Sequence, residues 1–66
     1  MKISELDMNQ LQIKLLFYNT FKNQYERIMS LNEHEKNEDY FAALEKRDDA
    51  IENIILVVNE INKRNQ

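Results

Sequence analysis

The chain contains no glycine, no proline, no cysteine and no tryptophan. Without cysteine it can form neither a disulfide nor a thiolate metal site. Without glycine and proline, it lacks the residues that most often interrupt helices and form tight turns. A chain of 66 residues forms at most one domain, and a core of that size is marginal. We therefore expect a single domain over residues 1–66 that gains stability by associating with itself or with another protein.

Positive charge is also scarce, since nine Lys and Arg residues face twelve Asp and Glu residues and leave a net charge of −3. Binding of nucleic acid depends on cationic contacts to phosphate, so this balance disfavours it. An RNA- or DNA-binding hairpin dimer nevertheless stays open as an alternative. It would have to gather on one surface the cations that are interspersed with acids along the chain, Lys14, Lys22, Arg27, Lys46, Arg47, Lys63 and Arg64.

Long apolar runs are missing as well. The longest are Leu15–Tyr18 and Ile54–Val58, far shorter than a membrane span. The N-terminal sequence lacks the basic and apolar regions of a signal peptide. We expect a cytoplasmic protein without membrane contact, and the frequent Asn, Lys and Ile, whose codons are AT-rich, indicate a bacterial or phage source.

Apolar spacing predicts a first helix over residues 4–31. Ser4 and Asp7 form an S-x-x-D start in which the Ser4 hydroxyl could cap the first turn, and Asn32 is a candidate left-handed cap at the end. The apolar residues between them recur at steps of three and four, which places them on one side of a helix. They are Met8, Leu11, Leu15, Tyr18, Phe21, Tyr25, Ile28 and Met29.

A polar turn over residues 32–38 and a second helix over residues 38–64 follow. Asn37 is a candidate N-cap, Glu38 and Asp39 suit the positive end of the helix dipole, and Lys63 and Arg64 suit the negative end. The predicted buried stripe of this helix consists of Tyr40, Leu44, Ile51, Ile54, Ile55, Val58 and Ile61.

Two other folds were weighed against this helical hairpin. In a single unbroken helix, Leu11 and Ile51 would occupy different heptad positions, so the two stripes could not share one seam. Residues 54–58 are rich in β-branched side chains and resemble a buried strand, but no second strand exists to pair with them. The sequence therefore predicts an all-α, antiparallel two-helix hairpin.

Both helices carry apolar residues beside their main stripes. An antiparallel hairpin would bring the two wide regions together into one band, away from the turn. A helix that is apolar nearly all round is buried on several sides, so this band would serve either a homodimer, as a four-helix bundle, or a groove for another protein. The band is predicted to consist of Ile13, Leu16, Phe17, Leu56 and Val57.

Two further residues join the predicted partner or dimer interface. Tyr18 and Phe17 point to different sides of the first helix, so at least one of them should leave the core of the hairpin. Arg47 falls at a stripe position between Leu44 and Ile51, where it could pair with an acid across an interface or lie at the rim with its head in water.

Residues that could carry chemistry are few. His34 lies between Glu33 and Glu35, but one imidazole with flexible carboxylates indicates a solvated turn rather than a metal site. Asp48 and Asp49, with Glu45 and Glu52 nearby, indicate a solvated acidic face rather than an acid–base pair. We expect no catalytic, cofactor-binding or metal-binding residue, and therefore no enzyme.

Residues 39–54 resemble a helix of flagellar export chaperones of the T and N types. The residues that carry this resemblance are Tyr40, Leu44, Arg47, Asp48, Ile51 and Ile54. The resemblance implies a cytoplasmic, all-α chaperone that shields a flagellar subunit until export. The residues themselves predict a small non-enzymatic protein-binding module, equally compatible with an inhibitor, an adaptor or a chaperone.

Overall fold

Two antiparallel helices joined by a polar turn form the structure. A computed structural model describes residues 2–66. A short 3-10 turn, Ile3–Glu5, precedes α1, Met8–Leu31, and α2, Glu38–Arg64. The two helices pack against each other in a body of 45 × 20 × 14 Å, and the described residues contain no strand. The predicted all-α hairpin is confirmed, and residues 54–58 are helical.

The start of α1 is fixed by a reciprocal pair of hydrogen bonds between Asp7 and Gln10. The backbone N–H of Gln10 donates to the Asp7 carboxylate at 2.8 Å, and the backbone N–H of Asp7 donates to the Gln10 side chain at 3.0 Å. Such a capping box satisfies two backbone donors that the first turn leaves unpaired. The prediction that the helix begins near Ser4 is wrong, because Ser4 belongs to the separate 3-10 turn.

The chain reverses direction through Lys36 rather than Asn32. Asn32 has φ −112°, outside the left-handed region, whereas Lys36 has φ +46°. The Asn32 amide donates to the carbonyl of Ile28 at 2.8 Å and accepts from Asn37 at 3.1 Å. These two bonds occupy the side chain of Asn32, and the left-handed residue lies four positions later, where the backbone N–H of Lys36 donates to the Asn32 carbonyl at 2.8 Å.

The start of α2 follows the sequence prediction. The Asn37 side chain accepts from the backbone N–H of Tyr40 at 3.1 Å and caps the helix. Glu38 and Asp39 lie in the first turn and Lys63 lies in the last, where their charges favour the helix dipole.

The side of α2 that packs on α1 is centred on small residues. Ala43, Ala50 and Val57 recur every seven residues and are buried, while Ile54, between the last two, and Ile61, four residues after Val57, are half-buried. The predicted stripe shares Ile54 and Ile61 with this side, but it has the larger Leu44, Ile51 and Val58 in place of the three buried residues. Each of these three larger residues follows a buried residue by one position and therefore lies about 100° away from it around the helix.

Large side chains of α1 face these small residues. Tyr18 and Ala50 line one stretch of the inter-helix groove, and Tyr25 and Ala43 line the next. Leu11 and Val57, both fully buried, form the core with Leu6 near the chain termini. The groove between the helices is therefore bordered by tyrosines on α1 and by alanines on α2.

Candidate interaction surface

Four residues of the predicted apolar band are exposed. They are Ile13, Leu16, Phe17 and Leu56. Val57 is not, because its side chain is fully buried against Leu11. The prediction that Val57 lies beside the packed stripe is therefore wrong: it lies at the centre of the stripe, and as the hairpin is folded it cannot contact a partner.

Three of the exposed members of the band, Ile13, Leu16 and Phe17, are neighbours on one side of α1 because they stand three and four residues apart, whereas the fourth, Leu56, lies on α2. Ile13 follows the buried Leu11 by two positions, or about 200°, and so points away from α2. Leu56 precedes Val57 by one position and lies on one flank of α2. Its helical neighbours at three- and four-residue spacing are Glu52, Asn53, Asn59 and Glu60. Leu56 is therefore an isolated apolar side chain among its neighbours in α2.

Tyr18 and Arg47 are both half-buried at the seam between the helices. The ammonium group of Lys14 lies 5.9 Å from the centre of the Tyr18 ring, within range of a cation–π interaction. The guanidinium of Arg47 donates to the Asp48 carboxylate at 2.9 Å. Arg47 therefore pairs with an acid of its own helix, and its side chain is about one quarter exposed.

A second apolar line runs along α2 beside the packed residues. We call it the outer row of α2. Its positions follow one another at steps of three, four, three, four and three residues, and five of the six are apolar. Three of these five are exposed and two are half-buried. The outer row consists of Phe41, Leu44, Asp48, Ile51, Ile55 and Val58.

The signal for this row is present in the sequence. Steps of alternately three and four residues are typical of a helix that packs along its length against another helix. The packed side of α2 has the same seven-residue repeat, one residue earlier in the chain: Ala43, Ala50 and Val57 precede Leu44, Ile51 and Val58. The pattern of large residues was predicted as the packed stripe, whereas the pattern of small residues beside it carries a weaker apolar signal and was not predicted to pack.

The opposite flank of the hairpin contains an open groove between the helices. Tyr18, Phe21 and Tyr25 of α1 form one wall, and Lys46 of α2 lies 5.9 Å from the centre of the Tyr25 ring. The groove has two stretches of about 330 Å³ and about 200 Å³. Its floor contains alanines, and its α2 edge alternates charges of both signs.

The charged side chains make local pairs rather than a joint site. Lys22 pairs with Glu26 at 3.1 Å and Arg64 with Glu60 at 3.1 Å, each within one helix. Across residues 2–66, no three His, Cys, Asp or Glu side chains lie close enough together to hold one metal ion. His34 lies exposed in the turn.

In the part of the chain that the structure describes, neither helix has the length and apolar character required to cross a membrane. Comparison with known proteins found no matching family model, no similar curated protein and no similar solved structure.

Proposed function

We propose that this chain is a small non-enzymatic protein-binding module that acts through the apolar outer sides of its helices. The observation that supports this proposal most directly is the number of large apolar side chains exposed on so short a chain. In addition to members of the predicted band and the outer row, they include Phe21, Ile28 and Leu31. Large exposed apolar patches on a protein surface are typical of protein interaction sites.

The total exposed area supports the same proposal. The chain exposes 5197 Å², whereas a compact monomer of its 8.0 kDa mass would expose about 4,450 Å². Its radius of gyration is 14.2 Å, compared with about 11 Å for a compact domain of this length. A flat body one helix thick leaves both of its broad sides open, and a second layer of helices would cover one of them.

The assembly that this shape favours is a homodimer, in which two hairpins pack into a four-helix bundle. Closed two-fold dimers are the commonest soluble oligomers, and helical hairpins of this kind bury apolar sides most simply as a bundle. Binding of a different protein would use the same property, an unpartnered apolar helix side.

Two other functions suggested by the sequence, a flagellar-type export chaperone and a nucleic-acid-binding protein, remain predictions. The resemblance of residues 39–54 to flagellar export chaperones implies one specific kind of protein partner. Nucleic-acid binding would need clustered cations, and three of the candidate cations, Lys22, Arg47 and Arg64, pair with acids of their own helix. Those pairs favour a protein partner over RNA or DNA.

The molar mass in solution, measured by light scattering coupled to size exclusion from micromolar to millimolar concentration, tests the assembly. We expect the mass of two chains, together with the helix content of the hairpin in circular dichroism. A fully helical chain that keeps the mass of one copy throughout that range would contradict the homodimer.

A further inference from the structure

We infer that the outer row of α2 is the contact between two copies of this chain. This inference rests on the proposed homodimer and names the side of the hairpin that forms it. The outer row spans 18 residues from Phe41 to Val58, a length of about 27 Å at 1.5 Å per residue. A continuous line of that length, with one polar position, matches the seam of a helix pair.

The position of the row relative to α1 leaves it available. Leu44, Ile51 and Val58 each follow a residue that is buried against α1, so the outer row is rotated by about 100° from that contact. The second copy can therefore pack beside α1 rather than in place of it. Since α2 would then contact α1 on one side and its own copy on another, both of its apolar patterns are used.

The row is also complementary to itself. In heptad terms the outer row alternates between position a (Phe41, Asp48 and Ile55) and position d (Leu44, Ile51 and Val58). When two copies of α2 pack antiparallel about a two-fold axis, each a position of one copy meets a d position of the other. Phe41 then lies opposite Val58, and Leu44 lies opposite Ile55. Each pair matches an aromatic or γ-branched side chain with a β-branched one. Asp48 lies opposite Ile51 near the axis, where its carboxylate already accepts from Arg47 at 2.9 Å.

The amount of excess surface is what such a contact requires. The chain exposes about 750 Å² more than a compact monomer of its mass, and one partner in a standard interface buries about 800 Å². The opposite flank fits a second copy less well. Its groove is bordered on α2 by three charged residues, Asp39, Lys46 and Asp49, whereas the outer row has one, Asp48, and charged side chains are depleted from the buried centre of interfaces.

Two neighbouring residues provide a matched test. Ile55 in the outer row is 52% exposed, and Leu56 on the other flank of α2 is 53% exposed. Ile55→Glu and Leu56→Glu introduce the same charge into the same helix one residue apart. The loss of hairpin stability should therefore be similar in both variants, whereas the loss of an outer-row contact should be confined to Ile55→Glu.

We expect Ile55→Glu to have the mass of one chain at concentrations where the wild type and Leu56→Glu have the mass of two. If a glutamate variant fails to fold, the milder variants Ile55→Ala and Leu56→Ala allow the same comparison, because alanine favours helix. Ile55→Ala should raise the dissociation constant by about tenfold or more, which is the effect of truncating one well-packed interface residue. Leu56→Ala should leave it nearly unchanged.

A dimeric Ile55→Glu variant beside a monomeric Leu56→Glu variant would overturn this inference and leave the homodimer in place on the other flank. Equal dissociation of both variants would also overturn the assignment of the outer row. A helical wild type that is monomeric at every concentration would contradict the homodimer itself, and the outer row would then belong to the surface for a different protein.

Discussion

Leu11 of α1 and Val57 of α2 are fully buried and belong to the same apolar cluster. They lie at the open end of the hairpin, together with Leu6 from the segment that precedes α1. Towards the turn, the buried residues of α2 are Ala43 and Ala50, which contribute little apolar area. The hydrophobic stabilisation of the single chain is therefore concentrated near its termini.

Leu11→Ala should be the most damaging simple truncation in α1. It removes a fully buried side chain and leaves a cavity, so we expect the free energy of unfolding to fall by about 2–5 kcal/mol. Urea denaturation followed by circular dichroism measures this at a fixed protein concentration, because association shifts apparent stability. Leu31→Ala is the control, since Leu31 is exposed at the helix end and its loss should change stability by less than about 0.5 kcal/mol. Equal effects of the two variants would contradict the placement of the core.

The existence and number of the helices could be predicted because they depend on local signals. The polar stretch around Asn37 separates two runs with helical spacing, and the Asn37 cap follows from a preference of the isolated residue. Which side of α2 meets α1 could not be predicted in the same way. A search for large apolar residues favours Leu44 and Ile51, whereas the buried positions are Ala43 and Ala50, which border the same groove as Tyr25 and Tyr18.

Asp7→Ala should weaken the start of α1. It removes the acceptor for the backbone N–H of Gln10 at 2.8 Å, and loss of an N-cap costs about 0.5–2 kcal/mol. Thermal or urea unfolding of Asp7→Ala measures the loss.

Ser4→Ala separates the two candidate caps. The contact of Ser4 in the structure uses its backbone carbonyl, which accepts from Arg64 at 3.2 Å and persists in the alanine variant. We expect a change of less than about 0.5 kcal/mol. A larger loss for Ser4→Ala than for Asp7→Ala would restore Ser4 as the cap of the helix.

The candidate site was harder to predict than the fold, for a physical reason. Exposed apolar residues such as Phe17 and Leu56 can be recognised only after the packed side is known, and an error of one residue in that side moves every neighbour by about 100°. Because of that error, Val57 was predicted at the surface but lies in the core. Ile55, one turn from Ile51 in the outer row, was predicted in the core but lies at the surface.

Arg64 should hold the N-terminal segment against the end of α2. Its guanidinium donates to the carbonyls of Ile3 at 3.4 Å and Ser4 at 3.2 Å, and to Glu60 at 3.1 Å. In Arg64→Gln we expect the backbone amide of Leu6, which bonds to the Ile3 carbonyl at 3.2 Å, to exchange its hydrogen about fivefold faster, corresponding to about 1 kcal/mol.

Hydrogen exchange observed by NMR measures this at single residues. Lys63→Gln is the matched control, because it removes one positive charge from the same helical turn at an exposed position. Faster exchange at Leu6 in both variants would mean that charge at the end of α2, rather than the hydrogen bonds of Arg64, holds the segment.

Lys36→Gly should stabilise the hairpin. Lys36 is the residue with positive φ, +46°, among those that the structure describes, and this conformation costs a residue with a side chain about 1–2 kcal/mol. Glycine avoids that cost but gives the unfolded chain more conformational freedom, which offsets about 0.4–1 kcal/mol. We expect a net increase of about 0.5–1 kcal/mol in the free energy of unfolding. Glu33→Gly in the same turn, where φ is not positive, should lower stability instead, and a loss of stability in both variants would show that residue 36 carries no backbone strain.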